Sequence, residues 1–307
     1  MLCPQVTLIV VPHQCFSCTQ QSLESIYKYT KIPFKLIYID GYSPQKVNQY
    51  LEIQSQEKGF LLIRTEKYVS PNQARNIGLK HVDTEYVVFL NNDVLVKDGW
   101  LNNLIKCAQE TDASVVSPIC VQGNLAEQII HFAGGSLEFQ SKDRSLDLFD
   151  RQFFVKDSLH KVKSQITRKP TQIIDFNCVL VRTSVFQQID NFDEKLMSVT
   201  EEIDFCLSVL AVGENIYLEP ESTVSFVPFT DLITSDFPYY FLRWSYIWNR
   251  KSVNHFQEKW NLAKDAKFIT NVLERVSKRN VLPFDSLSEQ IKFEINKEIC
   301  VNPKISI

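Results

Sequence analysis

Two acidic groupings carry most of the chemistry this sequence can offer. The first is Asn91-Asn92-Asp93, which follows the almost wholly apolar run Tyr86-Val87-Val88-Phe89-Leu90. Carboxylate and amide oxygens at the end of a buried strand suit Mg²⁺ or Mn²⁺ shared with a diphosphate, because hard cations take oxygen ligands. An ordinary Asn/Asp turn is the structural alternative. The second grouping is Thr200-Glu201-Glu202-Ile203-Asp204, where three carboxylates fall within four residues at the start of an apolar helical pattern. Crowding like charges raises at least one pKa and can leave a carboxylate basic enough to accept a proton near neutral pH. The same stretch, Ser198-Val199-Thr200-Glu201, also reads as a capping box, which accounts for Glu201 better than for Glu202.

Three further segments invite a chemical reading. Arg75-Asn76-Ile77-Gly78 falls in a predicted helix, where an arginine can steady an acidic partner or a phosphate, or simply form a structural salt bridge. His13-Gln14-Cys15-Phe16-Ser17-Cys18 brings a histidine and two cysteines together, but no second C-x-x-C completes a zinc site, and zinc is not expected. The aromatic run from Phe237 to Trp248 is dense enough for a sugar, lipid or partner surface, and is expected to be a buried helix.

The elements that must position these residues alternate. Val6–Val11, Phe34–Ile39, Phe60–Ile63 and Glu85–Leu90 read as strands, with helices expected over about 18–29, 44–56, 71–81 and 99–110. Strands and helices at this spacing imply a mainly parallel sheet covered on both faces, and such sheets bind ligands beyond the carboxyl ends of their strands. Asp40 and Asp93 each stand just past a strand. From about 139 to 170 the chain turns polar and charged, which suggests a mobile loop or lid. Helices are expected near 183–189 and 201–212, and residues 237–307 read as mostly helical.

Composition narrows the function classes. Lys plus Arg total 33 against 36 Asp plus Glu, a formal charge of −3, so no basic excess advertises nucleic-acid binding. No run approaches the roughly 18 apolar residues of a membrane span, and a cytoplasmic protein is expected, with peripheral contact at the inner face of a membrane left open. The eight cysteines are scattered; Cys107, Cys178 and Cys206 sit in apolar patterns as reduced core thiols would. Only eight glycines occur, and neither G-x-G-x-x-G nor G-x-x-x-x-G-K is present, so a bound nucleotide would need another kind of cradle.

Taken in order, the segments resemble glycosyltransferase family 2, the inverting nucleotide-sugar enzymes of the GT-A fold, over about Val6 to Val227. Ser70-Pro71-Asn72-Gln73-Ala74-Arg75-Asn76-Ile77-Gly78 is similar to the family's A-R-N-x-G segment. Phe89-Leu90-Asn91-Asn92-Asp93 with Gly99-Trp100-Leu101 is similar to its F-L-N-x-D…G-W-L segment. Ala133-Gly134-Gly135, Asn191-Phe192-Asp193-Glu194 and Glu201-Glu202-Ile203-Asp204-Phe205-Cys206-Leu207 resemble its G-G, G-F-D-E and E-D-x-D-L-C-L-R blocks.

The resemblance implies an α/β GT-A fold: a mainly parallel, Rossmann-like central sheet flanked by helices, with a helical C-terminal extension. Residues 1–230 would form the transferase domain, about 1–115 its nucleotide-sugar-binding half and 116–230 its acceptor-side half, with 231–307 the extension. It implies Asp93 as the ligand of Mg²⁺ or Mn²⁺, Asp40 on the nucleobase and Glu202 as general base; Arg75, Asn91, Asn92 and Glu201 would be substrate-binding. The partners would be a nucleotide-sugar donor and a glycan, lipid-linked or small-molecule acceptor. Departures are equally specific. The family's V-x-H metal histidine falls at Val224-Ser225-Phe226, the closing arginine of the E-D block is Ser208, and Gly41 follows Asp40 in place of asparagine. A degenerate member that binds nucleotide or glycan without turnover is the alternative. A nucleotidyltransferase ranks last, because Pro12-His13-Gln14-Cys15 has neither glycine nor lysine.

Overall fold

The computed structural model describes residues 4–122, 128–142, 144–226 and 232–285, with side chains described as far as Arg279. The expected boundary at 230/231 and the tail beyond Asp285 lie outside the described residues.

Strands β1 (Val6–Val11), β2 (Lys35–Asp40), β3 (Leu61–Arg64) and β4 (Tyr86–Asn91) alternate with α1 (Thr19–Tyr29), α2 (Gln45–Lys58) and α3 (Pro71–Leu79), as the apolar periodicity predicts. They pair in parallel in the order β3-β2-β1-β4. Side chains alternate across a strand, so each face needs its own cover. Leu8 and Val10 of β1 pack with Leu23 and Ile26 of α1, while Ile9 and Val11 pack on the opposite face with Ala74 of α3. Burial on both faces explains why these strands read as continuous apolar runs rather than alternating ones.

Beyond β4 follow β5 (Val94–Val96), α4 (Trp100–Thr111), β6 (Val115–Gln122), β7 (Ile129–Phe132), β8 (Gly135–Lys142) and β9 (Ser145–Gln152). After these come α5 (Leu159–Val162), β10 (Lys169–Pro170), β11 (Cys178–Arg182), α6 (Glu201–Ala211) and β12 (Ile216–Phe226). Strand β11 runs antiparallel between β4 and β6, and β12 lies parallel to β6. The parallel core expected from the sequence is therefore extended by a mixed edge. The segment expected as a helix near 183–189 is a 3₁₀ turn, Thr183–Gln187.

The polar stretch 139–170 is not the loop or lid expected. Its first half completes a β-hairpin, β8 paired with β9 from Gly135↔Gln152 to Lys142↔Ser145. Its solvent face is polar, which hides the strand pattern, but Leu148 is fully buried. The hairpin is tied down: Leu146 N donates to Asn261 O at 2.9 Å, and Ala263 N donates to Leu146 O at 2.8 Å. Gly135 is required by close approach, since a Cβ there would stand 2.7 Å from Arg151 O.

The C-terminal segment forms α7 (Phe237–Arg243), α8 (Tyr246–Lys259) and α9 (Lys267–Asp285). Tyr240, Trp244, Val253, Phe256 and Phe268 join the same apolar cluster as one face of the sheet. The aromatic run is thus mainly buried, as expected, with Tyr246 its exposed exception. It is broken at Ser245, whose Oγ accepts from Trp248 N at 3.2 Å and caps α8.

Candidate active site

A cavity of about 110 Å³ lies where the end of β1, the start of α6, the end of β12 and helix α9 meet. His13, Asp175, Glu201, Glu202, Phe226, Arg275 and Arg279 are among the residues that line it. Antiparallel pairing of β11 with β4 sets Cys178 opposite Leu90, which brings Asp175 and Asn177 beside the Asn91-Asn92-Asp93 turn.

Asp93 is fully buried at that turn. Its Oδ2 lies 3.0 Å from His13 Nδ1, and its Oδ1 has no hydrogen-bond partner. A buried carboxylate oxygen left without a partner is costly, and such groups in native proteins call for a ligand or a functional role. Residues and geometry therefore fit a hard cation better than a plain turn. The two asparagines do different work. Asn92 Oδ1 accepts from His13 N at 3.1 Å and its Nδ2 donates to Cys15 O at 2.6 Å, which locks the β1–α1 turn. Asn91 Nδ2 donates to Asn177 Oδ1 at 3.0 Å, while its own Oδ1 is unpaired.

At residues 13–18, His13 faces Asp93, Cys15 and Cys18 contact each other at 3.6 Å, and no cluster of three metal-ligating side chains occurs among the described residues.

The acidic grouping at α6 departs from the capping box. Thr200 occupies the N-cap position at φ 62° with no side-chain cap, preceded by Val199 at φ 44°. Two consecutive β-branched residues in the left-handed region are strained backbone, a cost typical of functional sites. Glu201, expected as a cap or substrate contact, lines the cavity and is buried against Arg243, whose Nη2 donates to Glu201 Oε1 at 3.0 Å. Burial alone would raise its pKa, but Arg243 and Arg75 hold it below the ordinary glutamate value. Glu202, half-buried on the cavity wall, behaves oppositely: burial, then Asp175 and Glu201, push it up to about 8. Adjacent glutamates thus have their acidities driven apart, the pattern by which enzymes divide structural from proton-accepting roles.

Of the expected site residues, Glu201 and Glu202 line this cavity, Asp93 adjoins it through His13, and Asn91, Asn92, Arg75 and Asp40 do not line it. Arg75 is buried with its guanidinium carbon 3.7 Å from the centre of the Phe176 ring and Nη1 bonded to Asn72 Oδ1 at 2.9 Å. A direct salt bridge, the structural alternative, is not among its contacts in the described residues; stacking on an aromatic face holds the guanidinium. Asp40 is buried at the end of β2, where Oδ1 accepts from Ser43 N at 2.8 Å and Oδ2 pairs with Arg64.

Sequence reasoning missed Asp175, His131, Asp236 and Arg243. Asp175 sits 3.7 Å from His131 Nε2, and the His131 ring packs 4.6 Å from Phe226. Asp236, before α7, accepts from Phe16 N at 2.8 Å, Ser17 N at 3.0 Å and Ser17 Oγ at 2.6 Å. Together with Arg243 it ties the C-terminal segment to both α1 and α6. An acidic residue opening an aromatic helix was the one local cue for Asp236. Its partners lie more than two hundred residues away.

A mixed sheet with carboxylates at its strand ends, flanked by helices, defines the GT-A class of fold. Among solved structures, this chain superposes on GalNAc-T7 with UDP, GalNAc and Mn²⁺ at TM-score 0.56 and 15% identity, over 91% of this chain and 58% of that one. It superposes on S. aureus TarS residues 1–349 in complex with UDP at TM-score 0.52 and 16% identity, covering 93% and 76%. The family profile for glycosyl transferase family 2 matches residues 7–189, and the chain belongs to that family. Curated relatives include a pre-mycofactocin glycosyltransferase of Mycobacterium tuberculosis, 24% identical over 155 residues, which are 50% of this chain and 29% of that protein. An uncharacterized glycosyltransferase of Rickettsia bellii is 26% identical over 108 residues, 35% and 16% of the two chains. The chain thus spans under a third of either relative's length. No helix among the described residues is long and apolar enough to cross a membrane.

Proposed function

We propose that this protein transfers a sugar from a nucleoside-diphosphate donor to a hydroxyl acceptor with inversion, with Glu202 as general base. The observation that carries the reading is the pairing, around one cavity, of a carboxylate whose pKa is pushed up to about 8 with the buried Asp93–His13 pair. Family membership and the UDP-bearing structural neighbours supply the donor class. A divalent cation at Asp93, Mg²⁺ or Mn²⁺, would supply charge neutralisation on the departing diphosphate.

This chain's own groups do the rest. Glu202 takes the proton of the acceptor hydroxyl as its oxygen bonds to the anomeric carbon. The carbon–oxygen bond to the diphosphate breaks on the opposite face, and the diphosphate leaves with the electron pair. Arg243 keeps Glu201 charged, and that charge helps keep Glu202 basic. Asn92 fixes the turn that presents Asp93. The acceptor is a glycan, lipid-linked or small-molecule alcohol. Asp40 and Arg75 serve the donor side by shaping the nucleotide-binding half rather than by touching the cavity.

The test is binding of UDP, GDP and dTDP by calorimetry with and without Mn²⁺. The parent is expected to bind one of them more tightly with Mn²⁺, and Asp93→Ala to lose that gain. Equal affinity in Asp93→Ala at saturating Mn²⁺ removes the metal role. Phe226, packed against His131 where the family has a metal histidine, favours a second reading, a member that binds without turnover; a parent that binds donor but neither transfers nor hydrolyses it would establish that one.

A further inference from the structure

Helix α9 lies beyond the residues matched by the family profile, yet it brings two guanidinium groups to the cavity. Arg275 and Arg279 are four residues apart, one helical turn, so they present side by side. Arg279 is fixed in place: its guanidinium carbon stands 4.7 Å from the Trp244 ring centre, and Nη1 donates to Gln14 Oε1 at 3.3 Å. Gln14 adjoins His13, which holds Asp93, so this guanidinium stands at the Asp93 end of the cavity. Arg275 is exposed at the rim and makes no ion pair among the described residues. Arg243, the third arginine on the wall, is already matched to Glu201.

The charge requirement of the pocket gives these two arginines a task. Asp175 and Glu202 face the same space as His13, which holds the buried Asp93, and a diphosphate entering it meets like charge. One divalent cation held by few protein ligands leaves much of that charge unmatched, and Phe226 supplies no ligand where the family has a histidine. Planar guanidinium forks match phosphate oxygens and need no metal. We propose that Arg275 and Arg279 bind the diphosphate of the donor, sharing with the cation the charge that the leaving group carries. This deepens the nucleotide-sugar reading and rests on it.

The experiment is calorimetry in EDTA on the full chain, with UDP, GDP and dTDP and their monophosphates, and with inorganic pyrophosphate as the base-free probe. The parent is expected to bind its preferred diphosphate about tenfold or more tighter than the matching monophosphate without metal, the scale of one charge-assisted contact. Arg275→Gln/Arg279→Gln should bring that ratio close to one and abolish pyrophosphate binding, with monophosphate affinity unchanged. Arg275→Lys/Arg279→Lys should restore part of it. If the double variant does not fold, Arg275→Gln alone, at an exposed position, should still lower the ratio. A ratio unchanged in the glutamine variants overturns the proposal, as does a parent that shows no diphosphate preference in EDTA but binds with Mn²⁺; both leave the donor reading standing. A parent that binds none of the nucleotides even with Mn²⁺ overturns the donor reading as well.

Discussion

Replacing Glu202 by glutamine separates a strained catalytic carboxylate from a helix-capping one, because the two roles move stability in opposite directions. A pKa raised from 4.5 to about 8 means that ionising Glu202 costs about 5 kcal/mol more in the folded protein than in the unfolded chain. Burial is the largest cause, followed by repulsion from Asp175 and Glu201. The group faces a cavity that water can enter, so screening reduces the realised cost to about 1–3 kcal/mol. The sign follows from proton binding. Between the unfolded and folded pKa values the native state holds the proton that the unfolded chain has lost, so the parent's stability falls as pH rises from about 4.5 to about 8. An amide cannot ionise, and Glu202→Gln loses this decline. Urea unfolding at pH 5 should find the two proteins within about 0.5 kcal/mol, and at pH 9 the variant more stable by about 1–3 kcal/mol. Turnover should meanwhile fall by about 10²–10⁴, and the parent's kcat/KM should rise with pH towards about 8, where the free base forms. A variant less stable than the parent at pH 9 would refute the strained carboxylate. Parental turnover in the variant would refute the base.

The remaining predictions concern the metal side and the C-terminal strap. Phe226→His places an imidazole beside His131 in the cavity, and should tighten Mn²⁺ binding to the nucleotide-free protein by about tenfold, read by calorimetry; unchanged affinity would show that β12 is not positioned to ligate. Asp236→Ala strips acceptors from three donors at the start of α1, and should cost about 2–4 kcal/mol in urea unfolding. A loss below about 0.5 kcal/mol would mean that the C-terminal segment is held by its apolar contacts alone.

Local pattern sufficed for the first four strands and the helices between them. Apolar runs of strand length between helical periods, a proline at the first turn of α3, and polar residues directly after β4 are all short-range signals, and the parallel β3-β2-β1-β4 order follows from them by the rules of α/β chains. The acidic groups at 91–93 and 201–204 were legible for the same reason, since their unusual composition is local. Long-range pairing decided the rest. That Glu201 is the ion-paired glutamate and Glu202 the raised one depends on Arg243, forty-two residues away, and on Asp175, delivered by an antiparallel strand whose direction no periodicity records. The hairpin of β8 and β9 was hidden because one face meets solvent and its anchor is the α8–α9 turn more than a hundred residues later. Periodicity reports which face of an element is buried; only closure of the chain on itself decides what stands opposite, and charge, strain and acidity at this site are properties of what stands opposite.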